Sequence, residues 1–249
     1  MKTRIIICVS NRPDLLEKQI QLLNNFMIGE KVVSIVYDTR DKQYESFFKK
    51  ICDDYNLEYH LHLSEPNCAP SFYHAQAATW AYQNVIKDED VLMLLDHDMF
   101  LIDEFNIEDE IKDYDVMGCL QSRGNVKYIW PGLFLAKIES IKEKDFHFYP
   151  DSVRGEFLDT GGGTYMLLES NLDYYDTGVE YPSDYNGINL DDAELTRGFN
   201  FELHHEGKFL HFRNACGWDN QFITNDSDKT NVLFHMISDF MEAKGTTII

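Results

Sequence analysis

The sequence predicts an α/β fold built on a mixed, mainly parallel β-sheet with helices on both faces. Over residues 1–100, short apolar runs alternate with segments of helical periodicity, giving a strand and a helix three times and then a fourth strand. Such alternation is typical of parallel strands joined by right-handed helical crossovers. The fourth run, residues 91–95, is apolar without interruption, which indicates a strand buried on both faces.

The elements of the first hundred residues follow from their apolar patterns. The first strand ends at Ser10-Asn11-Arg12-Pro13, where a capping side chain and a first-turn proline favour the start of a helix. We predict strands at residues 4–9, 32–37, 57–63 and 91–95, and helices whose apolar faces span residues 16–26, 44–55 and 72–82.

The rest of the chain has a less regular pattern. We predict strands at residues 115–121 and 128–137, a short helix at 164–168, a long surface loop at 173–194 and a hairpin that pairs 199–203 with 208–212. The last helix carries one apolar face, made of Leu233, Met236, Ile237, Phe240 and Met241. That face packs on its own domain or, less commonly, on a second copy.

Composition excludes several classes of partner. Hydrophobic residues make up 44% of the chain, which supports a packed core. Lys and Arg number 22 against 43 Asp and Glu, for a net charge of -21. Nucleic-acid binding needs a basic surface, so we expect no nucleic-acid partner, and an anionic membrane is disfavoured too. Anionic substrates remain compatible if a metal ion supplies positive charge.

The five cysteines are scattered and contain no Cys-x-x-Cys pair, so we expect free thiols in a reducing compartment. Residues 1–10 have the pattern of a strand, so we expect no signal peptide. No apolar run is long enough to span a membrane. We therefore expect a soluble cytoplasmic protein.

Two acids, Asp96 and Asp98, follow the buried fourth strand. Because strand side chains alternate, we expect both carboxylates on the same side, at the strand end where open α/β sheets bind ligands. Two carboxylates there would repel each other unless a cation lay between them, and hard divalent cations take such oxygens. The alternative, two solvated acids in a polar turn, stays open.

The alternating first half, the Asp96-His97-Asp98 triplet and the irregular second half resemble the GT-A fold glycosyltransferases, including small soluble enzymes of large DNA viruses. A viral source would imply the host cytoplasm as the location. The late segment His211-Phe212-Arg213-Asn214, followed by Gly217-Trp218, is similar to the histidine-bearing segment of that family. The resemblance implies one glycosyltransferase domain over residues 1–249. Its parts would be a nucleotide-binding half (1–100), a donor-sugar and acceptor half (101–226) and a C-terminal helix (227–249).

The resemblance also implies roles for single residues. Asp96, Asp98 and His211 would hold Mn²⁺ or Mg²⁺ against the diphosphate of a nucleotide-sugar, and an imidazole ligand favours Mn²⁺. Ser10, Asp38 and Asp96 would contact the nucleoside, although Thr39-Arg40 departs from the family's usual turn after Asp38. Arg213 would add a donor to the diphosphate; a solvated Arg213 is the alternative.

Asp159 is the candidate catalytic base. It precedes Thr160 and three glycines, whose conformational cost suggests a close backbone approach. Amides at a helix start near Thr164 could then meet phosphate or sugar hydroxyls. An inverting transferase needs a carboxylate base near the acceptor hydroxyl. The alternative is an acid in a glycine-rich turn, with Asp191 and Asp192 as reserve candidates for the base.

Aromatic, histidine and methionine residues outside this set carry weaker expectations. Trp130, next to Pro131-Gly132, forms either an apolar platform for a sugar or part of the core. Met93 and Met99 are interpreted as core residues. The remaining strand and turn histidines are interpreted as structural or solvated, because no spacing singles them out: His60, His62, His204 and His205.

The leading hypothesis is thus a metal-dependent glycosyltransferase of hexosyltransferase type. It would move a sugar from a nucleoside-diphosphate sugar to a glycan or other hydroxyl acceptor. A non-catalytic nucleotide-sugar-binding protein of the same fold is the alternative. An aspartyl phosphatase or phosphotransferase is disfavoured, since that chemistry places its Asp-x-Asp on the first strand and Phe100 stands where Thr or Val is usual.

Overall fold

The computed structural model describes residues 1–40, 42–66, 68–181, 184–185, 188–189, 201–212 and 226–243. The chain divides into two compact units that alternate along the sequence. The first unit contains Met1–Pro13, Ile28–Asp96 and Asn106–Gly178, and the second contains Asp14–Met27, His97–Phe105 and Val179–Ile249. The division of the single domain at residues 100 and 226 stays a prediction.

The helices and strands are as follows. The α-helices are α1 (Pro13–Phe26), α2 (Glu45–Tyr55), α3 (Pro70–Asn84), α4 (Ile107–Ile111), α5 (Ile138–Ile141), α6 (Tyr165–Leu168) and α7 (Asp226–Ala243). Two 3₁₀ turns lie at Lys42–Tyr44 and Gly162–Thr164. The strands are β1 (Lys2–Val9), β2 (Met27–Ile28), β3 (Glu30–Asp38), β4 (Glu58–His62), β5 (Val91–Asp96), β6 (Met99–Leu101), β7 (Phe105–Asn106), β8 (Val116–Arg123), β9 (Val126–Lys137), β10 (Asp151–Val153), β11 (Glu156–Leu158), β12 (Tyr174–Asp176), β13 (Val179–Glu180), β14 (Asp184–Tyr185), β15 (Ile188–Asn189), β16 (Phe201–His204) and β17 (Phe209–Phe212).

The first unit is built on a seven-stranded sheet in the order β12-β8-β9-β5-β1-β3-β4. Strand β1 runs parallel to β3 and β5, β3 runs parallel to β4, and β12 runs parallel to β8. Strand β9 is antiparallel to both β5 and β8. The sheet is therefore mixed and mainly parallel, as the sequence predicts.

Helices cover both faces of this sheet. Neighbouring residues of β3 point to opposite faces, so their contacts show what covers each one. On one side, Val36 belongs to a core that includes the small residues Ala77, Ala78 and Ala81 of α3. On the other side, the Tyr37 ring contacts Phe48 of α2, with the ring centroids 5.2 Å apart. The alanines explain how α3 packs close to the strands.

A buried arginine ties together the strand ends opposite the candidate ligand-binding edge. Arg4 of β1 donates to the Ser34 hydroxyl at 2.7 Å and forms ion pairs with Glu58 and Glu89. The side chains of Arg4 and Glu89 are almost completely buried. A buried charge is tolerated only when it is paired and hydrogen-bonded, which this arrangement provides.

The second unit contains a four-stranded antiparallel sheet in the order β13-β16-β17-β6. The predicted hairpin is its centre, with β16 paired to β17. Helix α7 buries four of the predicted apolar residues, Leu233, Met236, Ile237 and Met241. Within the described part of the chain, no helix has the length and apolarity that a membrane crossing requires.

Two predictions about local structure are wrong. The surface loop predicted at 173–194 contains short strands from β12 to β15, which have too few apolar residues to show strand periodicity. The apolar stripe predicted for the second helix is narrower, because Tyr44 lies in the preceding 3₁₀ turn and Phe47 is 56% exposed. Strand β6 and the β10–β11 hairpin have no counterpart among the predicted elements.

Candidate functional site

The Asp-x-Asp triplet straddles the end of a strand. Strand β5 ends at Asp96, and His97 and Asp98 form a turn before β6. Because Asp98 lies in this turn and not in the strand, the expectation that strand alternation places both carboxylates on one side is wrong. Asp98 is also not at an exposed edge: it is buried, with 3% of its surface accessible, whereas Asp96 is half-buried.

In the second unit, the β16–β17 hairpin places Glu202 directly opposite His211. His204 lies two residues beyond Glu202 on the same strand and so on the same face of the sheet. On its other edge, β17 pairs with β6, so that His211 faces Met99. The Phe212 amide donates to the Asp98 carbonyl at 3.0 Å, which holds Asp98 beside the hairpin.

The imidazole of His211 lies between two carboxylates. Its Nδ1 is 2.8 Å from Oε2 of Glu202, and its Nε2 is 3.4 Å from Oδ1 of Asp98. Burial by itself lowers the pKa of His211. The nearby carboxylates of Asp98 and then of Glu202 outweigh that effect and raise the pKa of His211 to about 9.

The Asp98 and His211 pair fits a small divalent cation. Each ligand lies about 2.0–2.2 Å from such an ion, so two ligands of one ion stand about 3.0–3.5 Å apart. The 3.4 Å between Asp98 Oδ1 and His211 Nε2 falls in that range. Carboxylate oxygen with imidazole nitrogen is a donor set that Mn²⁺ accepts.

Two residues of this cluster, Glu202 and His204, are not among the site residues predicted from the sequence. His204 was interpreted there as structural or solvated, yet it is buried with its Nε2 3.5 Å from Glu202 Oε2. Glu202, His204 and His211 each offer one ligand atom, and the three atoms lie within 4.8 Å of one another. The sequence signal that could have revealed them is the alternation Glu202-Leu203-His204 in the predicted strand that pairs with the strand of His211.

In the first unit, three candidate nucleoside contacts lie at the carboxyl edge of adjacent parallel strands. Ser10 follows β1, Asp38 ends β3, and Asp96 ends β5, with β1 between the other two. Cys8 of β1 pairs in register with Asp96. Burial, followed by the charges of Asp96 and Asp38, raises the pKa of the Cys8 thiol, so this thiol stays protonated.

Asp38 is already engaged by neighbouring side chains. Its Oδ2 accepts hydrogen bonds from the Ser64 hydroxyl at 2.8 Å and from Nε of Arg40 at 2.7 Å. The Arg40 guanidinium lies over the ring of Tyr73, 3.2 Å from its centroid. The departure from the family pattern at Thr39-Arg40 thus places a guanidinium beside the predicted nucleoside contact.

Asp159 is exposed and begins a tight turn. Its Oδ1 accepts from the Thr160 amide at 2.8 Å, and its carbonyl accepts from Gly162 at 2.7 Å. The Thr160 hydroxyl donates to the Ser71 carbonyl at the start of α3. The exposed carboxylate is compatible with either a base or a turn residue.

The three glycines after Thr160 pack against the protein itself. Gly161 has φ +89°, and a Cβ on it would lie 2.3 Å from the Ile129 carbonyl. A Cβ on Gly163 would lie 2.1 Å from the His147 ring. The prediction that backbone amides near Thr164 bind a ligand is wrong. Gly162–Thr164 is a buried 3₁₀ turn, and the Thr164 amide donates to the Gly161 carbonyl.

The other predicted residues have various surroundings. Trp130 is half-buried with its ring folded over Gly132, where a Cβ would meet the ring at 2.1 Å. His62 contacts Trp80, and His205 packs against Phe105. Met93 and Met99 are fully buried, as expected of core residues. Three predicted residues lie outside the described residues: Arg213, Asp191 and Asp192.

Comparisons with known proteins bear on the fold. No protein-family model matches the chain, and no curated protein matches it. Among solved structures, S. aureus TarS matches 71% of this chain and 35% of its own, with a TM-score of 0.50 and 14% identity. The mannosyltransferase PcManGT from Pyrobaculum calidifontis, in complex with GDP-Man and Mn²⁺, matches 70% of this chain and 54% of its own, with a TM-score of 0.48 and 12% identity.

This chain therefore spans about a third of the TarS structure and about half of PcManGT. At 14% identity, the likeness to TarS concerns the fold alone. Together with the mixed seven-stranded sheet, it supports the GT-A-like α/β class that the sequence predicts.

Proposed function

We propose that this chain is a metal-dependent glycosyltransferase that moves a hexosyl group from a nucleoside-diphosphate sugar to a hydroxyl of a glycan or small-molecule acceptor. The observation that carries the proposal is the buried Asp98 and His211 pair, whose facing atoms are 3.4 Å apart. In the sequence, Asp98 comes two residues after Asp96, which ends the central strand of a GT-A-like fold. That is the part of an open α/β sheet where ligands bind.

In the second unit, Asp98 and His211 would hold Mn²⁺ or Mg²⁺; Asp96 as a further ligand stays a prediction of the family resemblance. The ion would supply Lewis-acid stabilisation of the charge that develops on the leaving diphosphate. In the first unit, Ser10, Asp38 and Asp96 are proposed to contact the nucleoside.

Asp159 is proposed to act as the base that takes the proton of the acceptor hydroxyl, with inversion at the anomeric carbon. Its carboxylate is exposed and so can meet an acceptor. Arg213 is proposed to donate to the diphosphate.

A thermal-shift panel tests this function. UDP, GDP, ADP and CDP are each added with Mn²⁺, without Mn²⁺ and with excess chelator. A ligand at one hundred times its dissociation constant stabilises the folded protein by about 2.7 kcal/mol, which is a measurable rise in unfolding temperature. We expect one nucleotide to produce that rise, and only when Mn²⁺ is present. Stabilisation that is equal in chelator would contradict the metal role. Binding without sugar transfer would favour a non-catalytic nucleotide-sugar-binding protein.

A further inference from the structure

The two ring nitrogens of His211 have different relations to their carboxylates. The 2.8 Å from Nδ1 to Glu202 Oε2 is an ordinary hydrogen-bond length. The 3.4 Å from Nε2 to Asp98 Oδ1 is long for a hydrogen bond and matches the separation of two ligands of one ion. An imidazole that binds a metal ion carries one N–H and gives its other nitrogen lone pair to the ion, so with an ion bound the two sides must play different parts.

From this asymmetry, and resting on the proposed function, we propose that Glu202 is the positioning residue of the metal site. Its carboxylate accepts the Nδ1–H of His211, which fixes the tautomer and turns the Nε2 lone pair toward Asp98. A carboxylate behind a metal-binding histidine also makes that histidine a stronger ligand. Glu202 acts through His211 and does not itself touch the ion.

The position of Glu202 is set by the hairpin. It faces His211 directly in the register of β16 and β17, and both side chains are buried. His204, on the same face, brings its Nε2 within 3.5 Å of Glu202 Oε2 and is itself buried. Of the two imidazoles near Glu202 Oε2, His211 makes the shorter contact, at 2.8 Å, and so it is the one that Glu202 positions.

The same residues allow a competing arrangement. An ion bound by Glu202, His204 and His211 Nδ1 would leave the Nε2–H of His211 to donate to Asp98, since these three residues can share an ion. The two arrangements predict opposite tautomers of His211 and opposite effects of replacing His204. The normal hydrogen-bond length on the Nδ1 side favours the arrangement with Asp98.

The test measures Mn²⁺ affinity by calorimetry in the full chain and in four variants. Glu202→Ala removes the acceptor, Glu202→Gln keeps an oxygen there, and His204→Gln removes the competing ligand. The control is Glu180→Ala, whose side chain is exposed on the adjacent strand β13. Loss of such a supporting carboxylate typically costs about 10–100-fold in metal affinity. We expect that loss in Glu202→Ala, partial recovery in Glu202→Gln and wild-type affinity in His204→Gln and Glu180→Ala.

A second measurement is made on the wild-type protein and needs a variant only for assignment. Nitrogen NMR of ¹⁵N-histidine-labelled wild-type protein, saturated with diamagnetic Mg²⁺, reports which ring nitrogen of His211 carries the proton. His211→Gln assigns the signal. We expect a protonated Nδ1 and an unprotonated Nε2.

The results separate this role from the function on which it rests. Wild-type protein that binds neither Mn²⁺ nor Mg²⁺ would reject the proposed ion site and the role of Glu202 together. Wild-type binding with equal affinity in a folded Glu202→Ala variant would reject Glu202 alone. A protonated Nε2, with loss of affinity in His204→Gln, would overturn the proposal in favour of the three-ligand arrangement.

Discussion

The Arg40 guanidinium lies over the Tyr73 ring, 3.2 Å from the ring centroid, while its Nε donates to Asp38. The stack and the ion pair together fix one orientation of a side chain that would otherwise move freely. Asp38 is one of the proposed nucleoside contacts, so Arg40 is expected to influence nucleoside binding through Asp38.

The first prediction follows from that contact. Arg40→Ala should weaken binding of the preferred nucleoside diphosphate by about 5- to 30-fold, since losing the charged hydrogen bond that orders Asp38 is expected to cost about 1–2 kcal/mol of binding free energy. Calorimetry with UDP and GDP measures the change. The control is Lys49→Ala on the exposed side of α2, which should bind as wild type does. Equal affinity in Arg40→Ala would remove this region from the nucleoside site.

The second prediction concerns the metal ligand. Asp98→Asn should abolish Mn²⁺ binding and lower turnover by more than about 10²-fold, because the Lewis-acid role is worth several kcal/mol. Asp98 is buried, so the variant should also have a lower unfolding temperature than wild type. Asp103→Asn is the control, since the Asp103 carboxylate accepts from the Glu104 amide and an asparagine oxygen can do the same. Full activity of the wild type in excess chelator would argue against this role.

The third prediction concerns the proposed base. Asp159→Asn keeps an oxygen that can accept from Thr160, so the turn should persist, while turnover falls by about 10²–10⁴-fold. Asp151→Asn is a matched control, because the Asp151 carboxylate likewise accepts from the next residue, Ser152. Proton NMR of fresh product should show inversion. A retained configuration would exclude the simple base role.

The fourth prediction is a pH dependence of stability. Burial by itself raises the pKa of Glu58 and Glu89, but hydrogen bonds and the charge of Arg4, with the Lys87 amide on Glu89, outweigh it and lower both pKa values. A depressed carboxyl pKa stabilises the fold above its unfolded value of about 4.5 and loses this effect as pH falls through the folded value. The unfolding temperature should therefore drop below about pH 5. Glu89→Gln should make the fall in unfolding temperature below about pH 5 smaller. An unchanged fall in that variant would contradict the prediction.

The sequence predicts most elements of the first hundred residues well because their signals are local. The run at residues 91–95 is buried at every position, and α1 begins at Pro13 as the capping pattern predicts. Apolar periodicity is a property of neighbouring residues and needs no knowledge of partners. By contrast, β6 has three residues and becomes a strand through pairing with β17, far away in the sequence.

The contact between Glu202 and His211 could not be predicted for a related reason. It depends on the register of β16 against β17, and a slip of one residue would send Glu202 to the other face. Likewise, the burial of Asp98 follows from β5 ending at Asp96, and strand ends are set by sheet pairing more than by composition. The family resemblance pointed to His211 but carried no information about the residues behind it.

The pairing of β6 with β17 also has a consequence for the order of folding. It joins residues 99–101 to residues 209–211, nearly half of the chain apart, so the loop it closes is long and the conformational entropy of that loop must be lost before the contact forms. The parallel strands β1, β3 and β4 close shorter loops and can assemble earlier. During synthesis, the proposed ion-binding pair is therefore complete only after the β16–β17 hairpin has emerged, and a nascent chain that ends before it cannot hold the ion in this way.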